Sequence, residues 1–172
     1  MQISMTDQLA GPPSSPTIQA VPGESPARAR AAALALGLPL AEGRRPPGPL
    51  LMVGETDAWL EMDRTEVRVA FDSASMRHRR RGGQNELLGR AVGVKAERKP
   101  LIWDATGGLG RDAFVLADLG CHVTLTERIP VLAWLVNEAV NAASVSAYQQ
   151  VREAAARMTV ITRDSLQTGV PP

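Results

Sequence analysis

A glycine-rich segment between an apolar run and a helical pattern is the feature of this sequence that most constrains its fold. Residues 101–103 are apolar, residues 104–110 read Asp-Ala-Thr-Gly-Gly-Leu-Gly, and residues 111–119 have a helical pattern that Gly120 ends. Glycine adopts the backbone angles of tight turns and lets a ligand approach the main chain closely. The order strand, glycine turn, helix therefore predicts the ligand-binding edge of an open α/β sheet.

The alternation of strands and helices continues after the glycine turn. Residues 122–126 and 158–162 predict strands, and residues 130–141 and 148–157 predict helices between them. Short right-handed crossovers place such strands in a parallel sheet of order 3-2-1. We expect an α/β fold in which residues 100–172 form a Rossmann-like parallel sheet of strands one to three.

Residues 1–72 follow a different pattern and predict a small α+β region. Ser25 and Pro26 are typical of a helix start, and a helix is expected from Ala27 to Leu36 with Gly37 ending it. Apolar runs that predict short strands lie at residues 17–20, 50–53, 59–62 and 66–71. We expect the first of these to be an edge strand and the other three to form an antiparallel meander.

Residues 73–99 connect the two regions and hold most of the positive charge. They contain eight Lys and Arg against two Glu, an excess of +6 in a chain whose net charge is +1. We expect a basic loop here, followed by a helix at residues 85–92. Arginines beside glycines suit the bidentate capture of nucleic-acid phosphates, and a solvated charged loop is the alternative. The predicted RNA-binding residues are Arg77, His78, Arg79, Arg80 and Arg81.

Acidic side chains follow all three predicted strands of the parallel sheet. Asp104, Glu127 and Asp164 each stand at or just after a strand end. Because the carboxyl ends of parallel strands meet at one edge of a sheet, we expect the three carboxylates to share a ligand site. Glu127 is placed to accept hydrogen bonds from both hydroxyls of a ribose, and Asp164 with Ser165 to hold an adenine.

Two cofactor classes compete for the glycine turn. Gly108, Gly110 and Ala113 satisfy the dinucleotide fingerprint, which predicts a nicotinamide- or flavin-dependent oxidoreductase. Asp104, however, would repel a pyrophosphate, whereas S-adenosylmethionine (SAM) carries an ammonium group that pairs with a carboxylate. The sequence therefore favours SAM and keeps the oxidoreductase as the alternative.

Other features restrict the class of protein. Cys121 is the single cysteine, so the chain can form neither an intramolecular disulfide nor a multi-cysteine metal site. We interpret Cys121 as a buried small apolar residue. No apolar run approaches the roughly 18 residues of a membrane span, and the first residues lack the pattern of a signal peptide. We expect a cytoplasmic protein without a membrane span or a bound metal.

Three segments resemble the ribosomal RNA small subunit methyltransferase J family, and the likeness runs from about Phe71 to Ser165. They are residues 78–83 (His-Arg-Arg-Arg-x-Gly), 89–95 (Gly-Arg-Ala-Val-Gly-Val-Lys) and 104–117, which begin at the glycine turn. The resemblance implies a class I SAM-dependent methyltransferase fold, of which residues 100–172 would form the first half with only strands one to three, and S-adenosyl-L-methionine as cofactor. It also implies methylation of the N2 amine of a guanine in 16S ribosomal RNA, and hence the RNA of the small ribosomal subunit as partner.

The resemblance also adds site residues. Together with the strand-end acids, the predicted cofactor-binding residues are Asp104, Thr106, Gly108, Gly110, Arg111, Asp112, Glu127, Arg128, Asp164 and Ser165. The family continues after this point with a fourth strand and an Asp-Pro-Met-Phe motif, which is absent from residues 166–172. No catalytic residue is therefore assigned. We expect the chain by itself to be catalytically incomplete, and a non-catalytic RNA-binding remnant is a further alternative.

Overall fold

The computed structural model describes residues 15–63, 65–81 and 84–168, and the chain divides into two compact units, Met1–Val67 and Arg68–Pro172. The first sheet and its helix comprise β1 (Thr17–Ala20), α1 (Ala27–Leu36), β2 (Leu40–Ala41), β3 (Leu50–Val53), β4 (Ala58–Met62) and β5 (Thr65–Arg68). Each unit is built around apolar residues of its own. The α+β character expected for the beginning of the chain is therefore observed.

The first sheet is mixed, with strand order β2-β1-β3-β4-β5. β1 is parallel to both β2 and β3, whereas β3 is antiparallel to β4. The meander β3-β4-β5 agrees with the prediction, but β1 is not the expected edge strand because the two residues of β2 pair with its free side. A strand of two residues has too short a pattern to be recognised in the sequence. All four residues of β3 are buried, as a central strand requires.

The second unit carries the parallel sheet. Its elements are α2 (Ala74–Arg81), α3 (Gln84–Ala91), β6 (Leu101–Asp104), α4 (Arg111–Asp118), β7 (His122–Glu127), α5 (Pro130–Ser144), α6 (Gln149–Ala155), β8 (Met158–Thr162) and α7 (Ser165–Thr168). The strand order is β6-β7-β8, and both pairs are parallel. This order confirms the predicted order 3-2-1. The Rossmann-like fold class is also confirmed, because the parallel strands alternate with helices along the chain.

The core of the second unit lies between the sheet and helices α4, α5 and α6. Phe71 and Phe114 stack in this core with ring centroids 4.4 Å apart and an angle of 4° between the rings. Phe71 was expected to end a strand, but β5 stops at Arg68 and Phe71 lies in the following turn, where only 1% of its surface is exposed. Its burial holds the segment before α2 against α4. Cys121 is also fully buried, as predicted.

The basic segment is helical over Ala74–Arg81, where a loop was expected. Two contacts explain the difference. The Ser73 hydroxyl oxygen accepts a hydrogen bond of 3.3 Å from the Met76 N–H, as helix-capping serines do. The Met76 side chain is buried in the core of the second unit, so the amphipathic helix has an apolar anchor. The run of arginines hid this pattern.

Candidate functional site

The carboxyl ends of β6, β7 and β8 bring the three predicted acids to one edge of the parallel sheet. Asp104 is the last residue of β6, Glu127 is the last residue of β7, and Asp164 follows β8 by two residues. All three are partly buried. Neighbouring strands of a sheet lie about 4.8 Å apart, so the three side chains follow one another along this edge. Asp104 borders one hollow there, and Glu127 and Asp164 border a second.

Two backbone amides hold the Glu127 carboxylate. The Gly108 N–H donates to Oε2 at 2.9 Å, and the Ile129 N–H donates to Oε1 at 2.8 Å. Each carboxylate oxygen can accept a second hydrogen bond. The carboxylate is thus oriented by the glycine turn and by the start of α5, and it keeps acceptor capacity for a hydroxyl pair.

The Asp104 carboxylate lies in a less polar setting. Burial raises the pKa of this carboxyl, the Thr106 N–H that donates to Oδ1 at 3.1 Å opposes the rise, and the carboxylates of Asp112 and Glu127 add to it. An ionised Asp104 therefore gains free energy from a cation that enters the site. This is the behaviour expected of a group that binds an ammonium.

Thr126 joins the ends of β6 and β7 beneath the site. It is buried, and its hydroxyl accepts a hydrogen bond from the Trp103 indole N–H at 3.1 Å and donates to the Asp104 carbonyl at 3.2 Å. Its own carbonyl accepts from the Gly107 N–H at 2.9 Å. The sequence prediction did not include Thr126. The available signal was a hydroxyl residue at the end of a buried strand, where a buried polar group must find partners.

Gly107 is a second residue that the prediction missed. A Cβ atom at this position would lie 2.2 Å from Leu125 Cγ, closer than atoms can approach. Gly110 is also crowded, with Val136 Cγ1 at 3.0 Å from such an atom, and its φ of 67° favours glycine. Close packing of the turn on β7 and α5 therefore requires both glycines. The glycine turn follows the sheet surface because no side chain intervenes.

Two hollows flank the turn and meet at Thr106. The smaller one, of about 270 Å³, is lined by Ala105, Thr106, Thr126, Glu127, Arg128, Arg163, Asp164, Ser165 and Leu166. The larger one, of about 440 Å³, is lined by Arg79, Leu88, Val92, Ile102, Trp103, Asp104, Thr106, Gly107, Leu109, Arg111, Asp112 and Leu116. The predicted cofactor-binding side chains thus form two groups. Gly108 and Gly110 belong to the turn that connects them.

The smaller hollow has a polar lining of both charges. Asp164 Oδ1 accepts a hydrogen bond from the Leu166 N–H at 3.0 Å, and the Arg163 N–H donates to the Glu127 carbonyl at 3.0 Å. These contacts fix the chain after β8 beside the end of β7. Carboxylates, backbone groups and the Ser165 hydroxyl therefore line one space that can accommodate a polar, ring-bearing ligand.

The predicted RNA-binding residues have different surroundings. Arg77 lies 5.3 Å from the centre of the Tyr148 ring and donates to the Asp72 carbonyl, Arg79 forms an ion pair with Asp112, and His78 is exposed. The side chains of Arg80 and Arg81 lie outside the described part of the structure. The structure therefore joins Arg79 to the larger hollow and leaves RNA binding by the five residues a prediction.

Neither a membrane span nor a metal site is found within the described residues. In that part of the chain, no helix has the length and apolar character needed to cross a membrane. Nor do residues 15–63, 65–81 and 84–168 contain a group of three or more His, Cys, Asp or Glu arranged to hold a metal ion.

Comparison with known proteins identifies relatives that are all named as methyltransferases. Residues 51–170 match the SAM_MT profile of putative SAM-dependent methyltransferases. Ribosomal RNA small subunit methyltransferase J from Stutzerimonas stutzeri is 37% identical over 93% of this chain and 62% of its own length. The protein of the same name from Ectopseudomonas mendocina is 44% identical over 58% of this chain and 38% of its own length.

A solved structure agrees with these relatives. The crystal structure of a SAM-dependent methyltransferase from Neisseria gonorrhoeae superimposes with a TM-score of 0.73 and 29% identity, covering 88% of this chain and 62% of the other. The chain thus spans about three fifths of the length of the curated relative and of the solved structure. Since the matching profile covers more than half of the chain and includes the whole parallel sheet, the chain belongs to the SAM-dependent methyltransferase family.

Proposed function

We propose that the second unit binds S-adenosylmethionine at the carboxyl edge of β6, β7 and β8. The observation that carries this proposal is the fixed Glu127 carboxylate between two backbone N–H groups, beside a hollow that also contains Asp164. A carboxylate held in this way suits the two hydroxyls of a ribose. The adenine would then occupy the part of the smaller hollow near Asp164 and Ser165.

The amino-acid end of the cofactor would extend past Thr106 into the larger hollow. There the Asp104 carboxylate would hold the ammonium, because a cation stabilises the ionised form of a partly buried carboxylate. The resemblance adds Arg111, Asp112 and Arg128 to the contacts. These assignments fit the chemistry of SAM, which has a cationic sulfonium, an ammonium, a carboxylate and a nucleoside.

The same geometry argues against a dinucleotide. A dinucleotide fold uses the free N–H groups of the glycine turn for a pyrophosphate, but here the Gly108 N–H is taken by Glu127. Asp104 and Asp112 add negative charge at the place where the phosphates would lie. An oxidoreductase function is therefore not favoured.

The experiment that tests the cofactor proposal is a calorimetric titration of the chain with S-adenosylhomocysteine, with NADH as a control ligand. We expect binding of the first compound, loss of binding in Asp104→Ala, and no response to NADH. Asp72→Ala, which removes an exposed carboxylate outside both hollows, is the matched control and should bind as the unchanged chain does. Binding of NADH in preference to S-adenosylhomocysteine would contradict the proposal.

We further propose that the whole protein methylates the RNA of the small ribosomal subunit in the cytoplasm, at the N2 amine of a guanine. The names of the relatives and the resemblance of the three segments support this substrate. SAM supplies an activated methyl group for in-line transfer to an amine. The contribution of this chain is to orient the cofactor, since positioning reacting groups lowers the barrier strongly. The basic helix α2 would hold the RNA backbone.

A salt titration tests the RNA proposal. We expect the chain to bind a small-subunit ribosomal RNA fragment with an affinity that falls as KCl concentration rises. Replacing Arg80 and Arg81 by Ala should weaken binding and reduce the salt slope by about one per lost phosphate contact. Lys95→Ala with Arg98→Ala removes the same charge from the other end of the basic segment and should have a smaller effect. Equal effects of both pairs would leave α2 without a specific role.

A further inference from the structure

Arg79 is the residue of the basic helix α2 that lines the larger hollow. The other lining residues come from α3 and the turn after it, β6, the glycine turn and α4. Within this lining, Arg79 and Arg111 are the cations, and Asp104 and Asp112 are the anions. A residue that the sequence assigns to RNA therefore lies beside the proposed cofactor.

An ion pair joins Arg79 to the start of α4. Its Nη2 contacts Oδ1 of Asp112 in the first turn of α4, although the two residues are 33 positions apart in the sequence. The Arg79 side chain is only 38% exposed. A guanidinium carries five N–H donors, so the contact with Asp112 uses a part of its capacity. The remaining donors can bind a second carboxylate without loss of the ion pair.

The cofactor carries such a carboxylate next to its ammonium. A site for this zwitterion needs an anion and a cation around one small space, and the lining of the larger hollow contains both Asp104 and Arg79. Arginine is suited to this task because its planar donors match the two oxygens of a carboxylate. Resting on the SAM site proposed above, we propose that Arg79 binds the α-carboxylate of the cofactor's methionine part.

Two ligands that differ only in the amino-acid part separate this role from others. S-Adenosylhomocysteine has the carboxylate, whereas 5′-deoxy-5′-methylthioadenosine keeps the nucleoside and the sulfur but lacks the whole amino-acid group. We expect Arg79→Ala to weaken S-adenosylhomocysteine binding about 10- to 100-fold, the usual range for a lost hydrogen bond to a charged group. Binding of methylthioadenosine should change less than about two-fold, since Arg79 lines the larger hollow and not the smaller one.

Two further variants complete the design. Arg98→Ala removes an exposed positive charge from the same unit, outside both hollows, and should bind both ligands as the unchanged chain does. Arg79→Gln keeps a hydrogen-bond donor for Asp112 and serves if the alanine variant unfolds. Like Arg79→Ala, it should weaken the binding of S-adenosylhomocysteine and leave the binding of methylthioadenosine nearly unchanged.

The outcomes distinguish the inference from the proposal on which it rests. An equal loss for both ligands in Arg79→Ala would give Arg79 a structural role and overturn the inference. So would unchanged binding of both, or a selective loss in Arg111→Ala and not in Arg79→Ala. In each of these cases the SAM site itself would stand. If the unchanged chain bound neither ligand, the SAM site and the role of Arg79 would fail together.

Discussion

At the residue scale, the packing of Leu125 excludes any side chain from position 107. A methyl group added to Gly107 would lie 2.2 to 2.8 Å from three carbon atoms of Leu125, which is fully buried. We therefore expect Gly107→Ala to destabilise the fold by about 1–3 kcal/mol, the usual cost of overpacking. Urea unfolding measures this loss.

A double-mutant cycle shows whether Leu125 is the cause. Leu125→Ala makes a cavity that the methyl group introduced by Gly107→Ala partly fills, so the two changes together should destabilise less than the sum of their separate effects. Gly108→Ala is the control. Its φ of 50° also disfavours alanine, but a Cβ there meets only the Thr106 carbonyl at 3.8 Å and not Leu125. Its effect should add to that of Leu125→Ala. Additive effects of Gly107→Ala would place the strain elsewhere.

Asp104 links stability, pH and binding. Because burial raises the pKa of this carboxyl in the folded chain, the folded chain holds the proton more tightly than the unfolded chain. Stability from this group is therefore present at acid pH and is lost as pH rises through the folded pKa. We expect Asp104→Asn to melt at a higher temperature than the unchanged chain at pH 7 and to lose binding of S-adenosylhomocysteine.

The decisive measurement is how the difference in melting temperature between Asp104→Asn and the unchanged chain depends on pH. This difference should narrow as the pH falls through the raised pKa of the folded carboxyl toward the ordinary aspartate value of about 3.9. Asn keeps an oxygen that accepts the Thr106 N–H, so the local turn is preserved. Asp72→Asn, at an exposed position, should melt as the unchanged chain does at both pH values. A lower melting temperature for Asp104→Asn at pH 7 would contradict the argument.

At the element scale, the stack of Phe71 on Phe114 joins the segment before α2 to helix α4. Both rings are almost fully buried. We expect Phe114→Ala to lower the free energy of unfolding by about 3–5 kcal/mol, because it removes the ring and leaves a cavity. Leu87→Ala, at a position that is 60% exposed, should change stability by less than about 0.5 kcal/mol. Similar losses for the two variants in urea unfolding would show that the stack is not important.

Local patterns account for the elements that the sequence predicted. The parallel strands and their helices follow from apolar runs, from Gly120 and from Pro130, all of which act on near neighbours in the chain. The helix α2 was missed because its apolar anchor Met76 stands among arginines. β2 was missed because pairing with β1, rather than its own two residues, makes it a strand.

The candidate site, like the fold, was predictable where it depends on local sequence patterns. The three strand-end acids and the glycines follow from the alternation of elements. In contrast, the contacts of Arg79 with Asp112 and of Trp103 with Thr126 join residues distant in sequence. Such contacts depend on tertiary packing. The close approach of Gly107 to Leu125 likewise depends on how the turn lies on the sheet.

At the scale of the whole molecule, the proposed ligand contacts lie within the second unit. We expect S-adenosylhomocysteine to raise amide hydrogen-exchange protection at residues 104–112, 127–129 and 163–166 and not at residues 15–63. At a ligand concentration of about 100 times the dissociation constant, the added stability would be about 2.7 kcal/mol. NADH at the same concentration serves as the control. Protection that increased only in residues 15–63 would place the ligand in the other unit.

The two amides that hold Glu127 have a consequence for the thermodynamics of binding. Fixing a free glutamate side chain when a ligand binds costs about 0.5–1.5 kcal/mol of conformational entropy. Here the Gly108 and Ile129 N–H groups already hold the Glu127 carboxylate in the folded chain, so this entropy is lost on folding and not on binding. A ribose therefore encounters a carboxylate whose rotamer is already selected, and the enthalpy of its hydrogen bonds is converted into affinity with little loss.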